Sequence, residues 1–358
     1  FRVVGVGDMS GDVFGNGMLL SRTIKLVAAF NHLHIFLDPD PDPKTSFLER
    51  KRVFKLARST WTDYDQKKLS KGGAIFDRSA KVLTLSKEIQ ALVGIEKNKI
   101  TPTELLKNIL KIKVDLMWFG GIGTYIKSTK ESDLDVGDRA NDSIRIDGNQ
   151  VRAKVIGEGA NLGCTQLGRI EAAEGGVRLN TDAIDNSAGV DSSDHEVNIK
   201  ILLNEPIQNN RLTYESRNKL LSKMTDEVAQ LVLRHNYEQT QAISLVRSRG
   251  FGALEKQQRF MNLLERQDKL NRRIEFLPDD EELKERLANK QGLYSPEISV
   301  LINYAKNWLY EEVLVSDLPK DPYLLENLVE YFPSPLRKKY KKGIGNHRLS
   351  REIISTRL

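Results

Sequence analysis

At 358 residues and 39% hydrophobic content, the chain is long enough for two domains with real cores. No run approaches eighteen apolar residues, which excludes a transmembrane helix by hydropathy, and no basic-then-apolar secretory signal opens the chain. Cys164 is the only cysteine, excluding internal disulfides and cysteine-built zinc sites, and the net charge of +6 resides almost wholly in the last residues.

In chain order, Arg2 to Val6 reads as a strand, Gly11 to Arg22 as a helix, and Lys25 to Phe30 (KLVAAF) as a strand buried on both faces. Strand, helix and strand within thirty residues make a βαβ unit. Residues 31–113 interrupt that alternation as a helical insertion. LDPDPDP cannot be helix, because proline fixes φ and removes a donor. Helices are expected over Ser46 to Leu56, Ser86 to Val93 with Ser86 as its cap, and Thr103 to Lys111 behind Thr101-Pro102. VDLMWF (Val114 to Phe119) and VRAKVIG (Val151 to Gly157) are strand-like, and Asp147-Gly148 signals a hairpin turn.

Beyond Glu205 the spacing turns helical: Leu212 to Arg249, Ala253 to Glu275, Asp280 to Asn289 and Ser295 to Val315. The expected fold is therefore α/β, with a Rossmann-like doubly wound sheet over residues 1–208 and an all-α module over residues 209–358. The basic tail carries eight Lys or Arg against one Glu between Pro333 and Leu358. A solvated or disordered end explains it, and no aromatic platform, zinc finger or RNP-like motif supports nucleic acid as a partner.

The opening glycines Gly5, Gly7 and Gly11 follow a strand and precede a helix. A tight turn there lets backbone N–H groups and the helix dipole meet a pyrophosphate. The spacing is GxGxxxG, so its position carries more weight than its pattern. Asp8, Met9 and Ser10 complete the turn, and Gly120 and Gly121 after VDLMWF are further coenzyme contacts. Gly15 and Gly17 suit close helix–strand packing instead. The ribose reader belongs at the end of the second strand, which is Asn31, with Asp38 as the alternative if the chain folds back. Residues 31–43 contain Asp38, Asp40 and Asp42 but no Arg or Lys to meet a 2′-phosphate, so NAD is preferred to NADP.

Two small-residue loops, Gly157 to Gly163 and Asn186 to Ser193, each follow a strand-like run and precede a helix, the position from which loops reach ligand. Ser193 and Glu196 fit a capping box. Asp191 and His195 are four apart and share a helix face, but no second His or Cys cluster stands beside them in sequence. Neither a metal nor a hydrolytic triad is expected.

VGVGDMSGDVFGNGML, HIFLDPDPDP, VDLMWFGGIGTYIKS, GDRANDSIRI, GEGANLGCTQLGRIE and NTDAIDNSAGVDSSDHEVNIKIL together resemble the bacterial large-type NAD-specific glutamate dehydrogenases. The resemblance implies oxidative deamination of L-glutamate to 2-oxoglutarate and ammonia, with hydride passed to NAD, in a homo-oligomeric cytoplasmic enzyme. It likens Gly5, Gly7 and Gly11 to the coenzyme turn and Asn161 to the asparagine beside the nicotinamide. Asn186, Gly189 and Ser193 match the substrate-pocket loop, Ser193 as the holder of a carboxylate. The family's catalytic Lys and Asp precede the dinucleotide domain, no Lys here matches them, and no catalytic residue is assigned. A chain opening inside a strand without Met is expected to be a fragment, inactive alone. The alternatives are another NAD-dependent amino-acid dehydrogenase, or a non-catalytic nucleotide-sensing or nucleic-acid-binding protein.

Overall fold

The structure, a computed structural model, describes all 358 residues apart from the side chain of Asp12. Its first part runs β1 (Arg2–Val6), α1 (Asp12–Leu19), β2 (Lys25–Phe30), β3 (His34–Leu37), α2 (Pro43–Phe54), β4 (Ala74–Asp77), β5 (Leu83–Thr84), α3 (Lys87–Val93), β6 (Lys99–Ile100), α4 (Pro102–Ile109) and β7 (Leu116–Phe119). It continues with β8 (Ile126–Lys127), α5 (Asp133–Val136), β9 (Ile146–Asp147), β10 (Val155–Glu158), α6 (Gln166–Glu174) and α7 (Asp182–Asp185). The remainder is helical: α8 (Ser187–Gln208), α9 (Tyr214–Ser248), α10 (Leu254–Arg266), α11 (Asp280–Ala288), α12 (Ser295–Val315), α13 (Leu325–Tyr331), α14 (Ser334–Lys339), α15 (Lys341–Gly345) and α16 (Ser350–Arg357).

Six strands form the main sheet in the order β10-β7-β1-β2-β3-β4. β10, β7, β1 and β2 are parallel, and β3 and β4 continue antiparallel. The chain builds outward from β1 in one direction and then in the other, which is the doubly wound pattern expected from the sequence. The middles of its central strands β1, β2 and β7 are apolar because both faces are covered. Val3, Leu26 and Phe36 join the core under α1 and α2, while Val4, Val6, Val27 and Phe30 face the opposite core with Leu105, Ile109 and Ile156.

Local signals explain several helix starts. Asp42 caps α2 by accepting from the Thr45 amide at 2.8 Å, with Pro43 in the first turn, so the Asp-Pro run ends by opening a helix. Ser86 caps α3 and Thr101 caps α4 as the sequence predicts.

Three expectations change. The insertion over 31–113 surrenders β3 and β4 to the main sheet, leaving α2, α3, α4 and the β5–β6 pair outside it. Asp147-Gly148 is no hairpin: β8 and β9 pair in parallel, and Gly148 opens a single 3₁₀ turn. The strand expected over Val151 to Gly157 begins only at Val155.

Compactness divides the chain into Phe1–Asn186 with Arg249–Ile298, and Ser187–Ser248 with Ser299–Leu358, whereas composition changes near Asn209. The basic tail is folded rather than disordered. α14, α15 and α16 bury Leu336, Ile344, Ile353 and Ile354 in the core of the second unit, and its Lys and Arg side chains line the outer faces of short helices. No helix among the described residues is long and apolar enough to cross a membrane.

Candidate functional site

The carboxyl ends of β1 and β7 lie side by side where the strand order reverses, the position at which open α/β sheets bind ligand. Gly7 and Gly120 continue these strands, with the Gly7 amide bonded to the Phe30 carbonyl at 2.7 Å and the Gly120 amide to the Val6 carbonyl at 2.9 Å. Gly7 has φ +141°, a conformation that L side chains rarely adopt.

The glycines answer first to packing. A Cβ on Gly5 would lie 2.3 Å from Phe14, one on Gly7 2.5 Å, and one on Gly120 2.7 Å from the Phe14 backbone. Phe14 of α1 thus sits directly on the turn, and a valine at Gly7 would strain the turn itself. Gly15 and Gly17 similarly admit Phe54 and Trp118. Gly11 and Gly121 differ, because an added Cβ meets nothing closer than 3.4 Å. These two are the glycines of the turns at which an added Cβ would make only ordinary contacts. Met9 is buried with Phe14 and Trp61 and belongs to the core.

Asp8 organises the turn. Its Oδ1 accepts from the Ser10 amide at 2.9 Å, the Ser10 hydroxyl at 2.6 Å and the Gly11 amide at 2.9 Å. Those two amides are therefore committed to Asp8 instead of facing a phosphate. Gly11, at the N-cap of α1, has no side chain to cap the helix, so an anion can approach that end. Burial pushes the Asp8 carboxyl up, but the hydrogen bonds outweigh it and hold the group below its ordinary pKa.

The other Asp8 oxygen accepts from Asn31 Nδ2 at 2.8 Å. Asn31 is buried at the end of β2, its Oδ1 accepts from the Leu33 and His34 amides at 2.8 Å, and its carbonyl accepts from Arg78 at 2.7 Å. A carboxylate thus stands at the carboxyl end of β2, supplied by the turn. Arg78 escapes a sequence reading because it arrives from the end of β4, whose antiparallel pairing no motif announces. It is a cation the sequence alone did not place here.

Asp38 must be moved from the site. β3 runs antiparallel to β2, so Asp38 lies level with Val27, toward the amino end of the sheet. It is fully buried, accepts from the Ser70 amide at 2.9 Å and from the Ser70 hydroxyl, and burial raises its pKa. Its role is structural.

Beyond β10, the GEGAN loop hangs on Glu158. Arg169 of α6 donates to both of its oxygens, at 2.7 and 2.9 Å, and the Cys164 amide donates at 3.1 Å. Burial pushes the Glu158 carboxyl up while the paired guanidinium pulls against it. Leu162 takes φ +61° and donates its amide to Asp182 at 2.8 Å. This brings Asn161 to Asn186, whose side-chain amide donates to Asn161 Oδ1 at 2.8 Å. The two asparagines that sequence placed in separate loops are neighbours.

Gly189 and Ser193 are exposed on α8, in the other compact unit. The expected loop from Asn186 to Ser193 is instead the first two turns of α8, so Ser193 lies inside the helix and caps nothing. Glu196, its expected partner in a capping box, pairs with Lys200. Asp191 and His195 share a face as expected, and α9 brings His235 to them. An open depression lined by residues between Leu85 and Lys99 involves none of these groups.

Residues 1–246 match the family model described as bacterial NAD-glutamate dehydrogenase, catalytic domain, and residues 290–358 match glutamate dehydrogenase, C-terminal. Over its full length the chain is 52% identical to the NAD-specific glutamate dehydrogenase of Halomonas elongata. It is 54% identical, over 99% of its residues, to that of Pseudomonas aeruginosa, and 49% identical over its full length to that of Mycobacterium tuberculosis. The chain spans 22% of the length of each of these relatives.

Proposed function

Because the chain belongs to the bacterial NAD-glutamate dehydrogenase family, we propose that its first 208 residues hold NAD for the oxidative deamination of L-glutamate to 2-oxoglutarate and ammonia. The observation that carries the reading is the crevice between β1 and β7, where Gly11 and Gly121 are the glycines at which an added Cβ would make only ordinary contacts, beside a start of α1 that no side chain caps. In this reading the pyrophosphate lies by Gly11 and Gly121 at the start of α1, and the adenosine ribose lies by Asn31, Asp8 and Arg78. Asn161 and Asn186 meet the nicotinamide end. Bound there, NAD would supply the hydride acceptor, and the chain's own residues would hold it and fix its orientation, which is how positioning lowers the barrier. The groups brought to the crevice include no lysine, so the 358 residues alone are expected to bind NAD without turning over glutamate.

Gly189 and Ser193 of α8 serve the substrate carboxylate. The helical residues 209–358 form the accompanying module, and the longer enzyme is a cytoplasmic homo-oligomer with no nucleic-acid partner. The test is Ser193→Ala in an enzyme of the relatives' length. Loss of one hydrogen bond to a carboxylate should raise KM for glutamate about ten-fold, a cost of roughly 1.5 kcal/mol. Thermal stability should stay unchanged, since Ser193 is exposed mid-helix. A lowered melting temperature with unaltered glutamate kinetics would remove Ser193 from the site.

A further inference from the structure

The helical unit holds a cluster that none of this uses. Asp191 and His195 stand one turn apart on α8, and His235 projects from α9 toward both. His235 Nδ1 is 2.8 Å from Asp191 Oδ2, and His195 Nε2 is 3.7 Å from Asp191 Oδ1. One ligand atom from each of the three residues lies within 4.8 Å of the others.

His195 supplies the second, independent observation. Its side chain is 0% exposed, yet neither ring nitrogen has a hydrogen-bond partner. The ring stacks on Tyr331, at 4.4 Å between centroids, and lies nearly parallel to the His235 ring, at 5.9 Å. The stack on Tyr331 fixes the ring plane, with Nε2 3.7 Å from Asp191 Oδ1. A buried imidazole normally satisfies at least one nitrogen, because leaving a buried polar atom unmet is costly. At 3.7 Å the Asp191 oxygen is too far to be a hydrogen-bond acceptor. It is close to the separation of about 3.3 Å that two ligands adopt on one tetrahedral zinc ion.

We propose that Asp191, His195 and His235 form a binding site for one divalent transition-metal ion of the zinc class. Two imidazole nitrogens and one carboxylate oxygen suit that class, whereas magnesium and calcium call for oxygen ligands throughout. The fourth tetrahedral position stays open to water. Asp191 and His235 need only part from 2.8 Å to accommodate an ion between them. Bound there, the ion ties α8 to α9.

Arg357 opposes this. Its Nη1 lies 2.9 Å from His235 Nε2, and a guanidinium only donates, so Nε2 accepts and Nδ1 carries the proton given to Asp191. An ion on Nδ1 moves that proton to Nε2, and the exposed Arg357 side chain swings aside. Arg357 is therefore a competitor whose removal strengthens the site.

The experiment is calorimetric titration of the chelator-treated 358-residue chain with zinc chloride, with magnesium chloride as the control. One zinc ion per chain is expected, and no saturable magnesium. Asp191→Asn and His235→Gln, both on partly exposed side chains, should each weaken zinc at least about ten-fold, since losing a ligand costs no less than losing an outer-shell partner. Arg357→Gln should tighten it. His195→Gln tests the buried ligand, and the two milder variants keep the result decisive if it fails to fold. No saturable zinc in the parent chain would overturn the proposal. So would equal affinity in the parent, Asp191→Asn and His235→Gln, which would place the ion elsewhere.

Discussion

Asp8 joins the glycine turn to the end of β2, and in the proposed coenzyme site its carboxylate, 2.8 Å from Asn31, would oppose a 2′-phosphate where Asn31 alone could not. Arg78, donating to the Asn31 carbonyl, works the other way. Asp8→Asn keeps an acceptor for the Ser10 and Gly11 amides but removes the charge. It should narrow the preference for NAD over NADP by roughly ten-fold, or about 1.4 kcal/mol. Paired titrations of the two coenzymes check this, and an unchanged ratio would assign discrimination elsewhere. The glycines themselves were legible in the sequence, since their place between strand and helix implies a turn. Their main partner was not. Phe14 is three residues beyond Gly11, and only the approach of α1 to β1 shows that its ring, not a ligand, fills the space above Gly5 and Gly7.

At the scale of elements, β1, β2 and β7 were readable because strands buried on both faces are continuous apolar runs. α8 was misread at its start: small polar residues from Ser187 to Ser193 look like a loop, and helix formation there is decided by packing of His195, Ile199, Leu202 and Leu203 farther along. The loop after β10 depends on a pair that sequence does not reveal, Glu158 with Arg169. Glu158→Gln leaves a buried guanidinium with only Asp182, 3.2 Å away, as its counterion. The loss should be about 3 kcal/mol of stability, and NAD affinity should fall with it as the loop loosens. Thermal unfolding and NAD titration check both, and an unchanged melting temperature would show that the pair is dispensable.

The turn between α15 and α16 makes a pH prediction. His347 Nε2 lies 3.1 Å from the Asn198 carbonyl and Nδ1 accepts from the Leu349 amide at 3.1 Å, so the neutral ring fits and a second proton breaks the Leu349 bond. Burial lowers its pKa from the ordinary 6.5. The folded state then binds fewer protons than the unfolded one. Its contribution to stability is complete above the unfolded pKa of about 6.5 and is lost as pH falls through the lower folded value. Denaturant unfolding across that window should show stability falling on acidification, with a shallower fall in His347→Gln. Identical slopes would exclude His347 as the titrating group.

For the molecule as a whole, the α/β order and the long helical tail were legible because βαβ alternation and helical spacing are local properties. The grouping into compact units was not, since α10 and α11 join the first unit across more than sixty residues of intervening chain, a long-range choice that no local pattern encodes. The central claim is that NAD lies across the β1–β7 crevice. Gly121 tests it most directly, because a Cβ there would make only ordinary contacts, with the Val6 carbonyl at 3.4 Å, Val6 Cγ1 at 3.5 Å and Gly7 Cα at 3.6 Å, so the packing tolerates it while the added bulk stands at the proposed coenzyme crevice. Calorimetric titration of NAD into the parent chain and Gly121→Val should give one site in the parent. Binding in the variant should be at least about ten-fold weaker, a difference of 1.4 kcal/mol or more, at an unchanged melting temperature. Equal NAD affinity in the two folded proteins would contradict the assignment of the crevice.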